Sequence, residues 1–128
     1  MTIALSIALQ TAVYAAVSAA VAPVQVFDHA PRTPPARFVR LDGFNVDDRS
    51  MKNGEIGRHS FEVHVFDRPV GGGSSIGQRW VKQTIAEAHA AILAATLCGT
   101  HAQFEYSGVD PDEDGVSMHG RARYSILL

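Results

Sequence analysis

The stretch H-S-F-E-V-H-V-F-D-R, from His59 to Arg68, decides the fold. Phe61, Val63 and Val65 recur at every second position, the period of a β-strand. Glu62, His64 and Phe66 fall between them, so one face is uniformly apolar and the other mixed. Aromatic and β-branched residues suit a pleated, half-buried surface. Pro69 and the glycine run that follows stop the pattern. With an extended segment before it and a long helical pattern after it, the stretch reads as the central strand of a sheet.

Working outward from that strand, Phe38 to Val46 alternates in the same way, and its phase slips near Gly43, which marks a bulge. The polar segment from Asp47 to Gly57, with Asn53-Gly54 inside it, reads as a long mobile hairpin arm between the two strands. Val24 to Phe27 is a short extended piece suited to a sheet edge, and Pro31, Pro34 and Pro35 stiffen the connector after it. At the amino-terminal end, Leu5, Leu9, Val13 and Val17 form an i, i+4 row flanked by alanines, the pattern of an amphipathic helix from Ile3 to Val21. The next row, Ser6, Gln10, Tyr14 and Ser18, points toward solvent or a subunit neighbour. Pro23 ends this helix.

Beyond the central strand, Ser75 and Gln78 fit a capping box. Val81, Ile85, Ala88, Ile92 and Ala95 then form a helical stripe, widened by Trp80 and Leu93, and Gly99 suits a left-handed C-cap. Strands from His101 to Val109 and from Ser117 to Leu128 follow, joined by the turn Asp110-Pro111-Asp112-Glu113-Asp114-Gly115. The sequence therefore predicts one α+β domain over residues 1–128. It consists of a mostly antiparallel β-sheet of four to five strands with two helices packed on one face.

Composition narrows the function. The chain is 46% hydrophobic and 19% charged, which fits a folded domain of common size rather than a disordered one. A formal net charge of −2 supplies no basic excess for sequence-independent nucleic-acid binding. Cys98 is the single cysteine, so no internal disulfide forms. No Lys or Arg precedes Arg32, and the first apolar segment is alanine-rich with interspersed polar residues. Neither a signal peptide nor a membrane span is therefore expected.

Searches for catalytic and metal-binding patterns are negative. His59 and His64 face opposite sides of one strand, and His89, His101 and His119 lack ligand spacing. Asp110, Asp112, Asp114 and Gly115 open like a calcium loop, but Arg121 stands where a bidentate Glu is needed, and strands flank the turn. Gly71-Gly72-Gly73 lacks the Gly-Lys-Ser/Thr of a phosphate loop, and Ile76 replaces the last glycine of a dinucleotide fingerprint. No Gly-x-Ser-x-Gly elbow is present, and Cys98 has no basic partner pattern. The expectation is no catalytic residue, no cofactor and no metal. An open sheet edge and a projecting polar arm point instead to association.

The chain resembles the small tail-completion, or tail-terminator, proteins of long-tailed phages and gene transfer agents. The resemblance runs over nearly the whole length. It is carried by Leu9-Gln10-Thr11-Ala12-Val13-Tyr14-Ala15, Val26-Phe27-Asp28-His29-Ala30-Pro31 and the proline-flanked Phe38-Val39. Val63-His64-Val65-Phe66-Asp67-Arg68, the Asp110 to Gly115 turn and His119-Gly120-Arg121-Ala122-Arg123-Tyr124 complete it. The acidic residue often found after the last strand in that family is absent.

The resemblance implies a non-enzymatic virion part at the tail–head junction, assembled in the host cytoplasm. It implies a hexameric ring that caps the tail tube, ends its polymerisation and meets a head-side stopper or connector. Genome DNA would pass through the lumen without sequence-specific binding, and no membrane is involved. Alternatives are a stopper at another level of the neck, or a small ligand-binding or enzymatic α+β domain. Arg49, Met51, Lys52 and Ile56 are the candidate contacts to the tube or the next subunit. Asp28, His29 and Arg68 are the candidate structural motif that positions the connector. The edge strand at Val24–Phe27 and the carboxyl-terminal strand are candidate ring contacts, since a ring needs one patch to meet a different one.

Overall fold

A computed structural model describes residues 2–69 and 77–128. The elements run α1 (Thr2–Val21), β1 (Gln25–Phe27), β2 (Arg37–Asp48), β3 (Gly57–Asp67), α2 (Arg79–Ala94), β4 (Gln103–Pro111) and β5 (Met118–Leu127). The strands form one sheet in the order β1-β2-β3-β5-β4. All neighbours are antiparallel except β1, which lies parallel to β2. The α+β class, the strand number and the central place of the His59–Arg68 stretch are as the sequence predicts.

Register sorts the side chains. Val39 pairs with Val65 and Leu41 with Val63 across β2 and β3. Val65 then pairs with Gly120, Val63 with Ala122, and Phe61 with Tyr124 across β3 and β5. These residues share one face, and all of the apolar ones are buried in the core with Leu9, Val13, Val17 and Val21 of α1. Val81, Ile85, Ala88 and Ile92 of α2 join them. Both helices thus cover the same face. Each fully buried Leu, Val or Ile contributes about 1.5–3 kcal/mol of transfer free energy, so the two helix rows largely fix how the helices sit. Leu5 is exposed, and the buried row of α1 starts at Leu9 instead.

At Gly120 α2 lies tight against the sheet. A Cβ there would overlap the side chains of Val81 and Ile85. With Ala122 on the same face, small β5 residues make the seat for the helix. Gly43 sits at φ 67° in the β2 irregularity between Asp42 and Asn45, which confirms the bulge.

Several local expectations change. β5 is an interior strand between β3 and β4, so the carboxyl-terminal strand offers no free edge; β4 holds that position. Gly99 does not cap α2, which ends at Ala94 with the Ala95 N–H bonded to the Ala91 carbonyl. Cys98 and Gly99, at φ 51° and 86°, instead turn the chain inside a small Leu97–Thr100 bridge. The Asp47–Gly57 segment is a hairpin, as expected, and it is bonded nearly to its tip. β2 runs to Asp48, which pairs with Gly57, and bonds from Arg49 N to Ile56 O and between Met51 and Gly54 close the tip. The expected capping residue Ser75 and the Gly71–Gly73 run lie outside the described residues.

α1 is long and apolar enough to cross a membrane by composition alone. Its Leu9-to-Val21 row is nonetheless spent on the sheet.

Replacing Gly120 with valine should lower unfolding stability by about 1–3 kcal/mol, because the added atoms have no space beneath α2. Denaturant titration measures this; unchanged stability would show that α2 is not seated on Gly120.

Candidate interaction surfaces

The sheet face opposite the helices carries no covering layer among the described residues, yet it is not a bare polar surface. Phe38 of β2, Phe66 of β3 and His119 of β5 lie in one cross-strand row. The Phe38 and Phe66 rings stack with centroids 4.8 Å apart, and Phe66 and His119 at 4.3 Å. Guanidinium groups roof this row: Arg40 lies 5.2 Å from the Phe66 ring, and Arg68 lies 5.5 Å from Phe38 and 6.0 Å from Phe66. Such contacts contribute about 0.5–1 kcal/mol each at exposed sites. Phe38 and Phe66 are buried this way without a helix above them. The next row is Arg40, His64, Arg121 and Gly108, and the one after holds Asp42, Glu62 and Arg123.

His64 and His119 meet between these rows, with His64 Nδ1 2.8 Å from His119 Nε2. Burial is the main cause that holds both below the ordinary value of 6.5. For His64 the neighbouring His119 adds to this and Glu62 opposes it; for His119, Asp112 opposes it. The pair was not visible as a sequence motif, because it depends on the β3–β5 register. His59, on the helix side, has both ring nitrogens buried without a partner, and burial lowers its pKa as well. No group of three or more metal-ligating side chains gathers among the described residues. Two of the Asp110–Gly115 carboxylates, Asp112 and Asp114, serve the turn itself. The Val116 and Ser117 N–H groups and the Ser117 hydroxyl donate to Asp114, and the Glu113 N–H donates to Asp112.

The second surface is an open groove of about 800 Å³ between the outer side of α1 and β1. Ile7, Gln10, Tyr14 and Ser18 line it from the helix, and Val24 to His29 line it from the strand and connector. This is the Gln10–Tyr14–Ser18 row expected to face solvent or a neighbour. At its end Asp28 accepts a hydrogen bond from His29 Nδ1 at 2.9 Å and one from Gln10 Nε2 at 3.4 Å. The His29 bond is the largest influence lowering the Asp28 pKa.

The candidate structural motif is split. Asp28 and His29 lie at the groove, whereas Arg68 roofs Phe38 and its N–H donates to the Ala36 carbonyl. Phe27 bridges the two places, edge-on to both His29 and Phe38. No ion pair joins Arg68 to Asp28 among the described residues. The candidate contact residues Arg49, Met51 and Lys52 are exposed at the β2–β3 tip, Met51 at 71%, and Ile56 is half-buried beside them.

A five-stranded sheet with helices on one face leaves β1 and β4 as edge strands that no further strand among the described residues pairs with. The sequence matches the family model of the tail completion protein gp17 over residues 8–128, and the chain belongs to that family. It is thus a structural component of a phage-type virion tail. Among solved structures, a chain in the virion of a native gene transfer agent particle is similar at 21% identity with a TM-score of 0.76. That alignment covers 95% of each chain and shows a shared fold. No curated protein matches the sequence significantly.

Stability should fall as pH drops through 6.5. A histidine whose folded pKa is depressed leaves the unfolded chain binding more protons in that range, so acid favours unfolding. The stabilising term is complete above 6.5 and is lost toward the lowered folded values of His59, His64 and His119. Thermal melts at pH 7.5 and 5.0 check this. His119→Phe, which keeps the stack and removes one titrating ring, should flatten the dependence; an equally steep dependence in that variant would contradict it.

Proposed function

We propose that the protein forms a hexameric ring on the head-side end of the tail tube, stops the tube from growing, and presents a surface to the head-side connector. The observation that carries this reading is the family match over residues 8–128. The sheet supports it: two different free edges, β1 and β4, on one subunit allow head-to-tail contacts that close into a ring. The task requires fitting rather than bond making, so no cofactor or nucleophile is needed. DNA would slide through the lumen without sequence reading, and the formal net charge of −2 avoids the phosphate grip of a strongly basic wall.

The β2–β3 tip is the proposed contact to the tube protein or the next subunit. It projects beyond the sheet and pairs an apolar side chain, Met51, with cations at Arg49 and Lys52. Asp28, His29 and Arg68 would keep their structural role at separate places, the first two in the connector and the last over the aromatic row.

Electron microscopy of particles lacking the protein tests the level at which it acts. Overlong or headless tails are expected. DNA-filled heads that leak, on otherwise normal tails, would assign it to a stopper in the neck instead.

Deleting Arg49 to Gly54 should leave the fold intact, because Asp48 and Gly57 already pair and Glu55-Ile56 then makes a two-residue turn. The shortened protein should retain a wild-type circular dichroism spectrum and fail to limit tail length. Tails of normal length would remove the tip as the docking element.

A further inference from the structure

His64 of β3 and His119 of β5 stand side by side on the sheet face that the helices leave uncovered. His64 is only 7% exposed, and its Nδ1 lies 2.8 Å from His119 Nε2. Two ring nitrogens at that distance share a hydrogen bond, so one carries a proton and the other offers its lone pair. His119 also stacks on Phe66 at 4.3 Å, and Phe66 on Phe38 at 4.8 Å. The hydrogen bond therefore fixes one end of the aromatic row. With His119 in place, Phe38 and Phe66 are 2% and 6% exposed.

Two neutral rings satisfy this geometry, and so do one imidazole and one imidazolium. Two imidazolium rings do not: both nitrogens then carry protons and both rings are positive, so they must part. The groups around the pair decide when that happens. Arg40 and Asp42 face it from β2, Glu62 from β3, Arg121 from β5, and Asp110 and Asp112 from β4 and its turn. Arg123, further along β5, is engaged by Glu105, and Arg68 lies over Phe66. The carboxylates favour a charged pair, with Glu62 3.9 Å from His64 Nε2, and the arginines oppose it. Burial is the largest influence on both rings and also acts against charge, so the pair is neutral at pH 7 and takes up protons below 6.5.

We infer that the His64–His119 hydrogen bond is an acid-operated latch on the uncovered face: once both rings are protonated they separate, His119 leaves its stack on Phe66, and the Phe38–Phe66 row opens to solvent. His119 is the ring that moves. It is the more exposed of the two and lies one residue from the start of β5, beside the Asp110–Gly115 turn, whereas His64 is held mid-strand between β2 and β5. The helix side of the sheet keeps its core, so the change is local. The latch does not depend on the ring reading.

Nile red, an uncharged dye that brightens on exposed apolar surface, tests this when followed from pH 8 to pH 4 alongside far-ultraviolet circular dichroism. Wild type should gain dye fluorescence as pH falls below 6.5, before its circular dichroism changes. His119→Phe keeps the stack and cannot charge, so the gain should be lost. His64→Gln keeps a hydrogen-bond partner for His119 and removes one of the two charges, so the gain should be lost there too. If dye fluorescence rises only together with unfolding, or rises in either variant as in wild type, the latch is overturned. Should a variant fail to fold at neutral pH, nuclear magnetic resonance of wild type decides. Ring signals of His64 and His119 that change over one shared pH range, ahead of backbone unfolding, support the latch, and signals that change independently of each other overturn it.

Discussion

The structure depends on one constraint: only one face of the sheet can be covered by the two helices the chain possesses. Phe61, Val63 and Val65 of β3, flanked by β2 and β5, place their side chains on that face, and the buried rows of α1 and α2 close over them. Hydrophobic burial there supplies the main driving force for the fold. Everything distinctive about the rest of the surface follows from what the helices leave uncovered. The opposite face shields itself with a stacked aromatic row roofed by Arg40 and Arg68. Among the described residues no further strand pairs with the β1 and β4 edges.

Those unpaired edges connect structure to function. A protein selected to stay monomeric blunts its edge strands or covers them. Here β1 borders an apolar groove and β4 presents exposed aromatic side chains. Such a surface is costly for an isolated chain and useful for one that works as a repeated part. Membership in the tail completion protein gp17 family gives that need for assembly a physical setting, the virion tail.

Much of this could be read from the sequence. The period-2 pattern from Phe61 to Val65 located the central strand, the i, i+4 row located the buried side of α1, and Gly43 marked the β2 bulge. Strand order was harder, because a β4–β5 hairpin can join β3 through either member. The small residues Gly120 and Ala122 were the available clue. A glycine and an alanine on one face of a strand make room for a helix, and α2 sits over them. The His64–His119 contact was beyond sequence reading, since it exists only in the β3–β5 register. Gly99 was read as a helix cap because it follows the α2 stripe closely, yet it serves the Leu97–Thr100 turn. The candidate motif Asp28, His29 and Arg68 was grouped by resemblance, and the fold separates it, with Phe27 between the two parts.

The central claim is that this chain functions by fitting against copies of itself and the end of a tube. The native mass of the purified protein, measured alone and after mixing with tail-tube protein, tests it most directly. The account predicts a hexamer, in solution or on meeting the tube. A monomer under both conditions, with no complex formed, would contradict it.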